Sequence, residues 1–125
     1  MSNDNGVIRK FDTGATRDTA QDKPDYEGFL CPLVIERYGE YMHGHRKQSD
    51  GSLRDSDNWQ KGIPREVYMK SLWRHFHDLW KLHRGHLAKD TLENVLCAIL
   101  FNVMGYLHET LKAKPCVQEC SIKRA

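Results

Sequence analysis

Residues 90–112, DTLENVLCAILFNVMGYLHETLK, decide how the rest of the chain is read. From Val95 to Leu107 the stretch is apolar on nearly every side, interrupted only by Asn102 and Gly105, and no solvent-facing stripe can be drawn along it. A helix of that kind has to be surrounded. Its apolar run falls short of the roughly 20 residues that cross a bilayer, so protein rather than lipid is expected around it. The pattern predicts the central helix of a small all-α bundle. Asp90 can cap this helix, and Glu93, three residues on, fits a capping box with it. Asn94 is harder to place, because a buried amide without partners costs about 1–3 kcal/mol.

Working outward, Val67, Met69, Leu72, Trp73, Phe76, Leu79 and Trp80 recur at intervals of three and four after Pro64, as on a core-facing helix. That helix should end near Gly85, behind Lys81 and Arg84. A first helix is expected from Pro32 to about His45, with Leu33, Val34, Tyr38, Tyr41 and Met42 available for packing. Between them, residues 48–62, QSDGSLRDSDNWQKG, have the composition of turns, with Trp59 embedded. The expected organisation is an extended or partly disordered arm over residues 1–26, which Phe11, Tyr26 and Phe29 could pin across the bundle. A helical domain over 27–112 follows, then a polar tail over 113–125 that is either a short helix or disordered. Three main helices, one of them wholly apolar, leave a hydrophobic side to cover. Completion by homo-oligomerisation, as a dimer or tetramer, is therefore expected.

Composition narrows the function classes. A chain of 125 residues suits one domain. A net charge of +2, with Lys and Arg scattered among acids, does not favour a nucleic acid polymer as partner. The opening MSNDNGVIRKFD lacks the apolar segment of a secretion signal, and no stretch is long enough to span a membrane, which points to the cytoplasm. Cys31, Cys97, Cys116 and Cys120 do not suggest a disulfide framework, since one of them lies within the apolar helix.

Candidate chemistry rests on polar residues within these helices. Glu36 and Glu40 lie one turn apart and can share a divalent metal, or can be two solvated charges. His75 and Asp78 share a face in the aromatic run SLWRHFHDLW and can bind a cation, or can be a buried histidine held by a carboxylate. Facing Glu36, Glu40, Asp78, Glu93 and Asn94 inward would supply oxygen ligands of the kind that Mg²⁺ and Mn²⁺ prefer. The pairs His43 with His45, His75 with His77 and Cys116 with Cys120 are weak signals for zinc without paired C-x-x-C motifs. His77 and Asp78 form the dipeptide of the HD phosphohydrolases, for which His43 and Asp90 are nominal partners. No glycine-rich phosphate loop or G-x-S-x-G motif occurs.

The ordered set NWQKGIP (58–64), LWRH (72–75) and LCAILF (96–101), with FDTGATRD (11–18) and YEGFLCPLVIERYGEYM (26–42), resembles the phage dATP/dGTP diphosphohydrolase family. This is a MazG-like branch of the all-α nucleoside triphosphate pyrophosphohydrolases. The resemblance spans roughly Phe11 to Glu109. It implies a helical, oligomeric enzyme of phage nucleotide metabolism in the host cytoplasm. Such an enzyme uses Mg²⁺ or Mn²⁺ to cleave a purine deoxynucleoside triphosphate to monophosphate and pyrophosphate. Glu36 and Glu40 match the first acidic motif and would be the catalytic metal ligands. The second, E-x-x-D, is absent as such, so His75 with Asp78, or Glu93 with Asn94, would stand in. Asn58 falls in the site loop, Lys61, Arg65 and Arg74 are placed to hold leaving phosphates, and Trp59 either stacks on the purine or anchors its loop. The missing E-x-x-D also supports an alternative, a non-catalytic helical phage protein that binds a nucleotide or a partner protein.

Overall fold

Two units divide the chain, Met1–Ile35 and Glu36–Ala125, and the computed structural model describes residues 8–19 and 22–114 of them. In the first, β1 (Ile8–Lys10) pairs antiparallel with β2 (Thr16–Asp18), with Arg9 opposite Arg17. The connecting turn closes where Phe11 N–H donates to the Ala15 carbonyl at 2.9 Å. Gly14 sits there at φ +91°, a conformation that suits glycine. The arm expected to be extended or partly disordered thus contains a hairpin. Three-residue strands with every side chain exposed carry no alternation for the sequence to reveal. α1 (Tyr26–Phe29) is a single turn capped by Asp25, whose carboxylate accepts from Gly28 N–H at 2.9 Å. Phe11, Tyr26 and Phe29 are all exposed.

α2 (Pro32–Gly44) leads into the second unit. There α3 (Arg65–His83) and α4 (Leu92–Ala113) form an antiparallel hairpin, with Arg65 beside Thr110 and Ile63 N–H donating to Glu109 Oε2 at 3.4 Å. Tyr68 and Gly105 set its closeness. The Tyr68 ring is 1% exposed and lies where a Cβ on residue 105 would fall, so glycine lets the helices approach. α3 ends in a Schellman motif: His86 N–H donates to the Lys81 carbonyl at 2.8 Å, Gly85 N–H to that of Leu82 at 3.1 Å, and Gly85 takes φ +86°. The stop expected near Gly85 is therefore met by a backbone that glycine favours.

At the start of α4 the cap is Thr91, not Asp90. Thr91 Oγ1 accepts from Asn94 N–H at 3.3 Å, while Asp90 Oδ1 accepts from Thr91 N–H and from Asn94 Nδ2, both at 2.8 Å. The anticipated Asp90–Glu93 capping box does not form, because Glu93 is engaged elsewhere. Its Oε1 accepts from Arg37 Nε at 2.7 Å, and Arg37 Nη2 donates to Asn94 Oδ1 at 2.7 Å. Those side chains tie α2 to α4. The backbones of α3 and α4 run close together, whereas α2 reaches α4 through long side chains.

The fold is mainly helical, as the sequence reading expected, but α4 is covered on one side only. Among the described residues the buried set is Tyr68, Val95, Cys97, Ala98, Asn102 and Gly105. Leu92, Leu96, Leu100, Val103, Met104, Leu107 and Leu111 are exposed along the other side of α4. On α3, Leu72 and Leu79 are half-buried, while Met69, Trp73, Phe76 and Trp80 face outward, Trp73 with 66% of its surface free. The three- and four-residue recurrence in α3 is thus shared between two faces, and one of them meets α4. No helix among the described residues is long and apolar enough to cross a membrane.

Candidate functional site, a cationic cleft beside the α2–α3 loop

The turn-rich segment after α2 is ordered by its own polar groups. Asp50 Oδ1 accepts from Ser52 N–H at 2.9 Å and from Ser52 Oγ at 2.6 Å. These bonds hold the Asp50 carboxyl below the usual carboxylate range, the side-chain hydroxyl contributing most. Gly51 takes φ +88° at the turn, and the flanking chains pair where Lys47 faces Leu53. Arg54 N–H donates to the Arg46 carbonyl at 2.9 Å, and Arg46 Nε returns a bond to the Arg54 carbonyl at 2.8 Å. A small hairpin around Asp50–Gly51–Ser52 therefore brings Arg46, Lys47 and Arg54 to one place.

These cations line a cleft of about 700 Å³, together with Gly39, Tyr41, Met42, His43 and His45 from α2 and its end. Asp55, Ser56, Asn58, Trp59 and Ile63 come from the loop, Ser71 and His75 from α3, and Ala98, Phe101 and Asn102 from α4. All belong to the unit Glu36–Ala125. Trp59 stands in a 3-10 turn, Asn58–Lys61, edge-on to His108 at 4.8 Å and to Phe101 at 6.3 Å. It is anchored, and it also forms part of the cleft wall. Asn102 is 5% exposed, and its Nδ2 donates to the Ala98 carbonyl at 2.7 Å. Its side-chain oxygen accepts no hydrogen bond among the described residues. His45 Nδ1 donates to the Tyr41 carbonyl at 2.9 Å, which leaves Nε2 as the ring's free nitrogen.

Of the residues that the sequence proposed, Asn58, Trp59 and His75 line this cleft. Glu36 and Glu40 are exposed on α2, on either side of the cleft-lining Gly39 in sequence. Lys61 and Arg74 are exposed outside the cleft. Arg65 is engaged with the other end of the hairpin, its guanidinium 5.8 Å over the Tyr106 ring. Asp78 is half-buried on α3, away from the lining. Glu93 and Asn94 are brought together, and Arg37 fills both. Hydrogen bonding to Glu93 raises the Arg37 pKa above its ordinary value. Asp90 is held below the usual carboxylate range, first by the Asn94 amide, then by Thr91 N–H and by the proximity of His45 and His75.

This arrangement tests the implied metal. Glu93 Oε1 and Asn94 Oδ1 already receive a guanidinium cation, so these two oxygens do not fit a divalent ion in this conformation. Among the described residues no three His, Cys, Asp or Glu side chains lie together as a metal-binding group. The buried amide problem posed by Asn94 is solved by Arg37 and Asp90.

The sequence reading missed Arg37, Arg46, Lys47, Arg54 and Asn102. The signal for three of these was HRKQSDGSLR, residues 45–54, in which basic residues flank a D-G turn that folds them together. Comparison with protein-family models, with curated proteins and with solved structures finds no match.

Proposed function

We propose that the cleft binds a purine deoxynucleoside triphosphate and that the protein hydrolyses it to monophosphate and pyrophosphate. The observation that supports this reading is the grouping of Arg46, Lys47 and Arg54 beside Trp59 and Tyr41 in one cleft. Guanidinium and ammonium groups suit phosphate oxygens, and aromatic walls suit a base. The side-chain oxygen of Asn102, in the cleft wall, is an acceptor for a base amine or ring N–H. The imidazoles of His43, His45 and His75 stand in the wall, a side-chain type suited to general acid–base work on water at the phosphates.

The dependence on Mg²⁺ or Mn²⁺, the MazG-like assignment and the host cytoplasm belong to this reading through the resemblance of 11–18, 26–42, 58–64, 72–75 and 96–101. Such an ion, when bound, neutralises phosphate charge and activates water. Glu36 and Glu40, one turn apart on α2, are the carboxylates assigned to it. The same reading makes the working form a homo-oligomer.

The direct test incubates the protein with each deoxynucleoside triphosphate and Mn²⁺ while pyrophosphate is followed. Release from dATP or dGTP, abolished by chelation and by Glu36→Gln without a fall in melting temperature, is expected. No release from any of the four by folded protein overturns the enzymatic part. A second reading, nucleotide binding without turnover, is favoured by Arg37 filling Glu93 and Asn94. Under that reading the same protein binds dATP or dGTP, measured by Trp fluorescence, and releases no pyrophosphate.

A further inference from the structure

We infer that the outward faces of α3 and α4 form an interface between two copies of this chain, with α4 nearest the two-fold axis. Leu96, Leu100, Val103 and Leu107 are exposed along α4 at spacings of four, three and four. Met69, Trp73, Phe76 and Trp80 are exposed along α3 at the same spacings. That is the repeat of a seam between paired helices. A surface helix ordinarily turns its charged side to water, yet no Asp, Glu, Lys or Arg occurs between Asn94 and His108.

Area and charge identify the occupant. With Leu92, Met104 and Leu111 beside them, the two stripes leave about 1,000 Å² of mostly apolar surface per chain, taking full side-chain areas of roughly 150–250 Å² for the large residues. That exceeds the roughly 300–600 Å² of the largest patch on a typical monomer. Twice the area reaches the roughly 2,000 Å² at which permanent homodimer interfaces begin. A charge-free face meets its own copy without repulsion, and an isologous contact requires that self-compatibility. α3 also carries Glu66, Lys70 and Arg74 near its stripe, charges that are costlier to bury at an axis than the charge-free α4 face. The α4 face is therefore placed at the axis and the α3 rings beside it. None of these stripe residues lines the cleft, so the interface specifies the oligomer without depending on nucleotide binding.

Sedimentation velocity on the full chain tests this, with Leu100→Glu/Leu107→Glu as the variant. The wild type should sediment at a multiple of the 14.6 kDa chain mass at micromolar concentration, and its melting temperature should rise with concentration. The variant should sediment as a monomer of unchanged helicity, its dissociation constant raised at least about 100-fold. Where the double glutamate fails to fold, Leu100→Ala/Leu107→Ala takes its place with the same readouts. A monomeric wild type whose melting temperature ignores concentration overturns the inference and means that another occupant covers the face. An assembly whose mass and concentration dependence survive the substitutions overturns it as well. Nucleotide binding by the monomeric variant, measured alongside, reports on the cleft separately.

Discussion

The α3–α4 hairpin and the α2–loop side of the second unit are held together in different ways. The hairpin is set by shape: Tyr68 fills the space left by Gly105, and of the other buried residues all but Asn102 are small or apolar. On the other side, polar reach replaces close packing. Arg37 spans to Glu93 and Asn94, and Arg46 and Arg54 exchange backbone bonds around a turn. Apolar contact fixes helices at short range, while long polar side chains hold elements apart and leave room for a cleft. One region therefore carries stability and the other carries the candidate chemistry.

The strongest way to break this contrast is at its tightest point. Tyr68→Ala should lower unfolding free energy by about 3–5 kcal/mol in denaturant titration, as large-to-small core changes do. Gly105→Ala should cost about 1–3 kcal/mol, because the added methyl meets the Tyr68 ring and the helices must part. If Gly105→Ala is neutral, the close approach is not what holds the hairpin.

On the cleft side, Arg46→Ala and Arg54→Ala should each weaken nucleotide affinity about 10-fold in calorimetry, the loss of one charge-assisted contact, with folding retained. Equal affinity in both variants would remove the cleft from the functional reading. The phenols of α2 sharpen the comparison through pH. Burial pushes Tyr38 up to about 12, and its hydroxyl has no hydrogen-bond partner among the described residues. A raised folded-state value means that the folded form holds its proton longer than the unfolded chain, whose phenol titrates near 10. The stability contribution is then full below about pH 10 and is lost as pH rises toward about 12. Tyr38→Phe should flatten that part of a plot of melting temperature against pH. The smallest effect is expected from Arg37→Ala. Its partner Glu93 is 71% exposed, and ion pairs in water add little, so the loss should be confined to about 1 kcal/mol from the second bond, the one to the half-buried Asn94 oxygen. A large fall would mean that α2 depends on this single arginine.

Much of the helical layout was legible because it depends on local signals. Pro32, Pro64 and Gly85 mark helix ends, and apolar spacing marks helix bodies to within a residue or two. The cap of α4 was legible only in part, since Asp90, Thr91 and Asn94 all have capping chemistry and geometry selects among them. The candidate site was less legible. Asn58, Trp59 and His75 stood out by type, but Arg46, Lys47 and Arg54 are ordinary surface residues until the turn at Gly51 gathers them.

By itself the sequence determined that the stretch 90–112 holds an apolar helix with polar residues at its start and a glycine in its body. Periodicity and composition are properties of neighbouring residues, and they suffice for that. The tertiary structure decided which side of the helix is covered and that Gly105 receives Tyr68. It also decided that Glu93 and Asn94 answer to Arg37, fifty-six and fifty-seven residues earlier. Those outcomes depend on which distant groups meet, and an all-round apolar helix presents many equivalent faces from which only packing can choose.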